Sequence, residues 1–205
     1  MALQLAEALA KLHTYPLTTF FDYFAATGED VGKATRMSVE NAYRKSIDIW
    51  ITYLDEVEHT PSTNLSRLLN WAKRNVPSDH RPAVLVHGDF APHNILFDGG
   101  KISGVLDYEC ANFGAPEQDL ICLKPQLANV IPWEEFVDHY NTSGGPAIVE
   151  ANFPFCQAYA ALKIAFAFAR GATNLSKGHT QDIRLLMVEF AYQPMFMKIG
   201  LDAEA

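Results

Sequence analysis

The sequence predicts a mainly helical chain with short β-hairpins, an α+β arrangement. Three observations carry this prediction. Apolar residues recur at three- and four-residue spacing along most of the 205 residues. Ile95-Leu-Phe97, Asp98-Gly-Gly-Lys101 and Ile102-Ser-Gly-Val-Leu106 read as two apolar runs around a turn that tolerates positive φ, a hairpin signature. Strand and helix patterns do not alternate, which argues against a large parallel sheet. With 49% hydrophobic residues, the whole of 1–205 is expected to form a single globular domain.

Taken in order, residues 2–13 put Leu5, Leu9 and Leu12 on one helical face, closed by His13, a residue type that most often caps or packs at such a place. Residues 14–36 hold Pro16, Gly28 and Gly32 around Phe20, Phe21, Tyr23 and Phe24, which predicts a loop with one short helix. A long helix is expected over 38–58, with Ser38 as N-cap and a stripe of Val39, Tyr43, Ile47, Trp50, Leu54 and Val57. The next helix starts near Ser62, buries Leu65, Leu69, Ala72 and Val76, and ends at Pro77-Ser78-Asp79. Ala83-Val84-Leu85-Val86 is a buried strand between Pro82 and Gly88. After Asp107 the chain turns helical from Pro116, with Glu117 and Asp119 near the helix start and Pro125 breaking or kinking it. Pro132 opens a helix with Trp133, Phe136, Val137 and Tyr140 inward, followed by a Gly144-Gly145-Pro146 loop. Residues 154–171 form an apolar helix whose Phe155, Tyr159, Phe166 and Phe168 are core before they are pocket lining. The last helix is expected over about 179–199, kinked at Pro194, with Met187, Met195 and Met197 as core fillers.

The totals exclude several classes. A net charge of −8 argues against a nucleic-acid partner, which needs a basic surface, and leans weakly toward a cationic substrate. Cys110, Cys122 and Cys156 have no CxxC spacing and suggest a reducing compartment. Phe153 to Phe168 is interrupted by Gln157 and Lys163 and falls short of the ~18 apolar residues of a membrane span. The N-terminus has no basic n-region, so a cytoplasmic protein without membrane contact is expected. No GxGxxG or GxxxxGK[ST] phosphate loop is present.

Chemistry concentrates in Val84-Leu-Val-His-Gly-Asp-Phe-Ala-Pro-His-Asn-Ile-Leu-Phe97. Asp89 follows a buried strand, Asn94 begins the next, and Asp107 ends the hairpin. Ladder geometry brings Asn94 and Asp107 toward one end, where an amide oxygen and a carboxylate are hard ligands suited to Mg²⁺. Asp89 then serves to orient a hydroxyl and accept its proton, the parts that phosphoryl transfer needs.

This spacing, His87-Gly-Asp89-x-x-x-x-Asn94, resembles the catalytic loop of the kinase fold. The Gly after His87, Pro92 and Ile95-Leu96-Phe97 resemble the aminoglycoside phosphotransferase / choline kinase family. Ile102-Ser-Gly-Val-Leu-Asp107-Tyr-Glu109 is similar to that family's metal-binding segment, and Phe113-Gly-Ala-Pro-Glu-Gln-Asp119-Leu120 to the segment after it. Leu5 to His13 resembles the helix that begins the family's C-terminal lobe. The specific motifs cover about residues 83–120. The resemblance implies the C-terminal lobe of the protein kinase-like fold, with Asp89 as catalytic base and Asn94 and Asp107 holding Mg²⁺. It implies His87 and Asp119 as structural support of the loop, and Glu109 as a residue that faces substrate. Cofactors would be Mg²⁺ and ATP or GTP, and the partner a small-molecule hydroxyl. Ala91, His93, Tyr108 and Ala115 depart from the family's commoner residues. The family's N-terminal nucleotide-binding lobe is expected to be missing from this chain.

Two other classes share features with this sequence. An inactive lobe that only binds a ligand would not take up Mg·ATP in isothermal titration. His87-x-Asp89 with His179 outlines a 2-His-1-carboxylate iron site of an oxygenase, whose metal His179→Ala would release.

Overall fold

The computed structural model describes residues 1–26, 28, 30–56, 63–185, 194, 195 and 198–202. Val57 and Ser62, and with them Met187 and Met197 of the expected last helix, lie outside the described residues. The chain divides into two compact units, one of residues 1–42 and 79–153, the other of 43–78 and 154–205.

In the first unit, α1 (Ala2–His13) buries Leu5, Leu9 and His13, a row at four-residue steps. Full burial of one such leucine stabilises by about 1.5–3 kcal/mol. Leu5 and Leu9 join a core with Phe90, Ile95, Leu120, Leu123, Phe136 and Tyr140. Residues 14–36 fold into a 3₁₀ turn and two short helices, α2 (Phe21–Ala26) and α3 (Val31–Ala34), where one short helix was expected. α4 (Val39–Glu56) begins here, and Ser38 Oγ accepts the Asn41 N–H at 3.3 Å as its cap.

Two small antiparallel sheets follow. β2 (Ile95–Asp98) and β3 (Lys101–Val105) form the hairpin, closed through Gly99–Gly100, with a bulge between Leu96 and Phe97. β1 (Val84–Val86) does not pair with β2. It pairs with β4 (Asn112–Gly114), Leu85 opposite Phe113, so in chain order the β1–β4 ladder brackets the His87–Asn94 segment and the hairpin. α6 (Glu117–Leu127) runs through Pro125 for two more residues rather than ending there. α7 (Trp133–Thr142) buries Phe136 and Tyr140 against α1.

In the second unit, α4 from Tyr43 onward, α5 (Thr63–Arg74) and, from Pro154 onward, α8 (Phe153–Ser176) supply the apolar residues. Val76 lies beyond the end of α5, and Leu68 takes a buried place with Leu65, Leu69 and Ala72. The aromatic side chains stack on one another. Tyr43 meets Phe155 and Tyr159, and Trp50 meets Tyr159 and Phe166. They are core. Burial pushes the Tyr159 phenol up to about 12. The Tyr43 hydroxyl lies 3.2 Å from Cys156 Sγ.

Candidate active site

β1 delivers the chain to His87 from a strand that is buried throughout. Gly88 then takes φ +80°, a conformation that costs other residues roughly 1 kcal/mol or more, which explains glycine between His87 and Asp89. The turn exposes its amides to one acceptor. The Gly88 N–H donates to Asp119 Oδ1 at 2.8 Å, and the His87 N–H donates to Asp119 Oδ2 at 2.9 Å. Asp119 sits in the first turn of α6 and is fully buried.

The His87 ring is buried and both nitrogens are engaged. Nε2 donates to the Leu106 carbonyl at 2.8 Å, and Nδ1 accepts the Asp89 N–H at 3.3 Å. Tyr108 lies over the ring at 4.6 Å, and Phe90 meets it edge-on. Burial, with a smaller contribution from the Asp119 charge, pushes the Tyr108 phenol up.

Asp89 has half of its side chain exposed, and His93 Nε2 lies 3.6 Å from its Oδ2. Asn94 closes the 3₁₀ turn Pro92–Asn94 and is 5% exposed. Its Nδ2 donates to the Asp89 carbonyl at 3.0 Å and to Asp89 Oδ2 at 3.1 Å. Both donors thus point at Asp89, which leaves the amide oxygen Oδ1 as an available ligand atom. The Leu106 N–H donates to the Asn94 carbonyl at 2.8 Å, so Asp107 follows directly on the rung that holds Asn94. Asp107 is the one non-glycine residue among those described with positive φ, at φ 64°, ψ 60°. It is exposed, as is Glu109 two residues on, and neither makes a hydrogen bond or ion pair among the described residues.

Asp89, Asn94, His87, Asp119 and the Leu106 backbone, the residue before Asp107, therefore belong to one bonded arrangement in the first unit. Asp107, an exposed carboxylate on a left-handed residue directly after the Asn94–Leu106 rung, and the uncommitted Asn94 amide oxygen are both hard oxygen ligands of the kind a divalent cation takes. Among the described residues, no group of three or more His, Cys, Asp or Glu could hold a metal ion. Both ring nitrogens of His87 are committed to backbone, so the iron triad with His179 loses its first ligand.

Two networks were not read from the sequence. His13 Nε2 lies 3.1 Å from Asp119 Oδ2 and His13 Nδ1 lies 2.8 Å from the Tyr140 hydroxyl, all three side chains being buried. The signal was the position of His13 in the Leu5–Leu9 row, where a polar side chain needs a buried partner. Asp79, Arg81 and Glu117 form the second network. Arg81 holds Asp79 Oδ2 at 2.6 Å and Glu117 Oε1 at 3.0 Å, and Asn152 Nδ2 donates to Asp79 at 2.9 Å. Burial raises the Asp79 carboxyl, but the bonds and charge of Arg81, aided by Asn152, outweigh it and hold the group below the usual carboxylate range. A cleft of about 710 Å³ opens beside α1 and β3, lined by Glu7, Lys11, Tyr15, Phe90, Lys101 and Tyr108 among others. Asp89, Asn94 and Asp107 do not line it.

The family described as "Phosphotransferase enzyme family" matches residues 1–159. Acyl-CoA dehydrogenase family member 11 of Gallus gallus is 31% identical over 164 residues, 76% of this chain and 20% of that protein. Homoserine kinase of Methylocella silvestris is 32% identical over 121 residues, 58% of this chain and 34% of that protein. The chain thus spans about a fifth to a third of these relatives. A solved candidate aminoglycoside phosphotransferase from Ralstonia eutropha superposes with a TM-score of 0.71 at 18% identity, covering 99% of this chain and 64% of that one. That likeness establishes the fold.

Proposed function

The chain belongs to the phosphotransferase enzyme family, and from that premise we propose that it carries the catalytic loop of a small-molecule kinase. The reaction is transfer of the terminal phosphoryl group of ATP or GTP to a hydroxyl. The observation that supports this most is the Asn94 amide bonded to the Asp89 carboxylate, with Asp107 beginning where the Asn94–Leu106 rung ends. Because the chain spans part of its relatives' length, the activity is proposed for the complete catalytic unit.

In this reading Asp89 orients the acceptor hydroxyl and takes its proton as the phosphoryl group moves. Asn94 fixes the Asp89 carboxylate through Nδ2 and offers Oδ1 to Mg²⁺, to which Asp107 offers its carboxylate. Mg²⁺, when bound, neutralises charge on the nucleotide phosphates. His87 ties the loop to the strand end before Asp107, and Asp119 anchors the loop amides. Glu109, exposed on the 3₁₀ turn after Asp107, faces a cationic part of the acceptor in this reading. We also read the chain as cytoplasmic, where Cys110, Cys122 and Cys156 stay reduced. Among the described residues no helix is long and apolar enough to cross a membrane.

Asp89→Asn in the complete catalytic unit tests the reading. It removes the base and keeps size and hydrogen bonding. Turnover is expected to fall about 10²–10⁴-fold while KM for nucleotide and acceptor changes little. Unchanged turnover would take the base role from Asp89.

A further inference from the structure

We propose that Tyr140 sets the tautomer of His13, and that this tautomer fixes the carboxylate clamp on the loop carrying Asp89. Tyr140 is then a positioning residue of the site. The proposal rests on the phosphotransfer reading for its consequence, but not for its geometry.

Asp119 accepts the Gly88 N–H at Oδ1 and the His87 N–H at Oδ2. His13 Nε2 also meets Oδ2, at 3.1 Å. A carboxylate oxygen only accepts, so Nε2 carries a proton. Nδ1, at 2.8 Å from the Tyr140 hydroxyl, then has two assignments. If Nδ1 also carried a proton, the phenol would receive that bond and its own proton would have no acceptor. The hydroxyl has no other hydrogen-bond partner among the described residues, and Tyr140 is fully buried. An orphaned buried donor costs about 1–3 kcal/mol. If Nδ1 carries a lone pair, the phenol donates to it and each polar atom of the relay is satisfied. The charge state of the phenol agrees. Burial, then the charges of Glu117 and Asp119, push its pKa up against a smaller opposing effect of Arg81, so it keeps its proton.

The relay therefore runs in one direction. Tyr140 O–H donates to His13 Nδ1, His13 Nε2–H donates to Asp119, and Asp119 receives the two loop amides. The opposite neutral tautomer would face a lone pair of Nε2 against the carboxylate.

A second observation shows that the Tyr140 ring is held for this contact. The Gly145 N–H donates to the Tyr140 carbonyl at 3.0 Å. A Cβ at Gly145 would overlap Cε1, Cζ and Cε2, the hydroxyl end of the ring. The Gly144-Gly145 turn thus packs bare backbone against the phenol. Any side chain there would push the hydroxyl off Nδ1.

The test uses the chain labelled with ¹⁵N, observing histidine rings by long-range ¹H–¹⁵N correlation. His13→Gln identifies the His13 signals by their loss. The expected wild-type result is a neutral His13 protonated at Nε2, with Nδ1 a hydrogen-bonded acceptor. Tyr140→Phe, which keeps the ring, is expected to shift Nδ1, introduce a second protonation form, and speed exchange of the His87 and Gly88 amides about tenfold. Gly145→Ala is expected to reproduce that signature. A wild-type His13 found as imidazolium or as the Nδ1–H tautomer would overturn the proposal without any variant. Unchanged tautomer and amide exchange in Tyr140→Phe would overturn it as well. None of these readouts uses turnover, so failure here and failure of the Asp89→Asn test are separate results.

Discussion

Asp119 is where single-residue energetics are most concentrated. Its carboxylate oxygens carry two backbone N–H groups and a histidine in a site without water access. Asp119→Asn keeps the shape but faces an NH₂ group toward donors. The expected loss is about 3–5 kcal/mol, the range for breaking one side of a buried charge-assisted set, read as a lowered urea midpoint. A change under about 0.5 kcal/mol, as at ordinary surface positions, would contradict it. The Asp89–Asn94–Asp107 spacing was legible in the sequence because each of these side chains sits close to a strand end. Asp119 was legible as a helix-start acid near a motif. His13 and Tyr140 were not, because their bond joins residues 127 positions apart and pattern within one helix shows neither partner.

At the scale of elements, the hairpin was readable from its Asp98-Gly-Gly turn, and α1, α4, α5 and α7 from periodicity. β4 was not. Three residues, Asn112–Gly114, offer no alternation to detect, and their partner strand lies some way back in the chain. Pro125 lacks an N–H and is expected to break or kink α6; the break does not occur, since the helix persists to Leu127, whose side chain joins the core. The loop after α7 was visible as Gly144-Gly145-Pro146, but not its use as a floor for the Tyr140 ring. Gly145→Ala is expected to destabilise by about 1–3 kcal/mol through overpacking against that ring, seen as a lower thermal midpoint. A neutral substitution would mean the α7 end has room to yield.

The whole chain folds as two discontinuous units, and the first is completed only when residues 79–153 return to 1–42. The Asp79–Arg81–Glu117 network holds that return. The Val39 N–H donates to the Arg81 carbonyl, the Glu40 N–H to the Asp79 carbonyl, and the Val149 N–H to Glu117. Sequence reading took Asp79 for a helix stop, since nothing local marks a carboxylate whose partners are Arg81 and Asn152. Its pH consequence follows in sign. The folded-state pKa lies below the ordinary 3.8, so the contribution is fully present above that value and is lost as pH falls below it through the folded pKa. Unfolding followed by circular dichroism is expected to show a steeper acid loss in wild type than in Asp79→Asn, which starts less stable. Parallel acid curves would remove Asp79 from that role.

We propose that Asn94 and Asp107 together form a divalent-cation site next to the Asp89 loop. Mn²⁺ titration of the ¹⁵N-labelled chain, with paramagnetic broadening read residue by residue, tests it without knowledge of the acceptor. The expected result is broadening centred on Asn94 and Asp107, relieved by excess Mg²⁺. It should be abolished by Asp107→Asn, which tolerates the left-handed backbone while removing the charge, and retained in His179→Ala. Broadening centred elsewhere, or equal broadening in wild type and Asp107→Asn, would contradict the assignment.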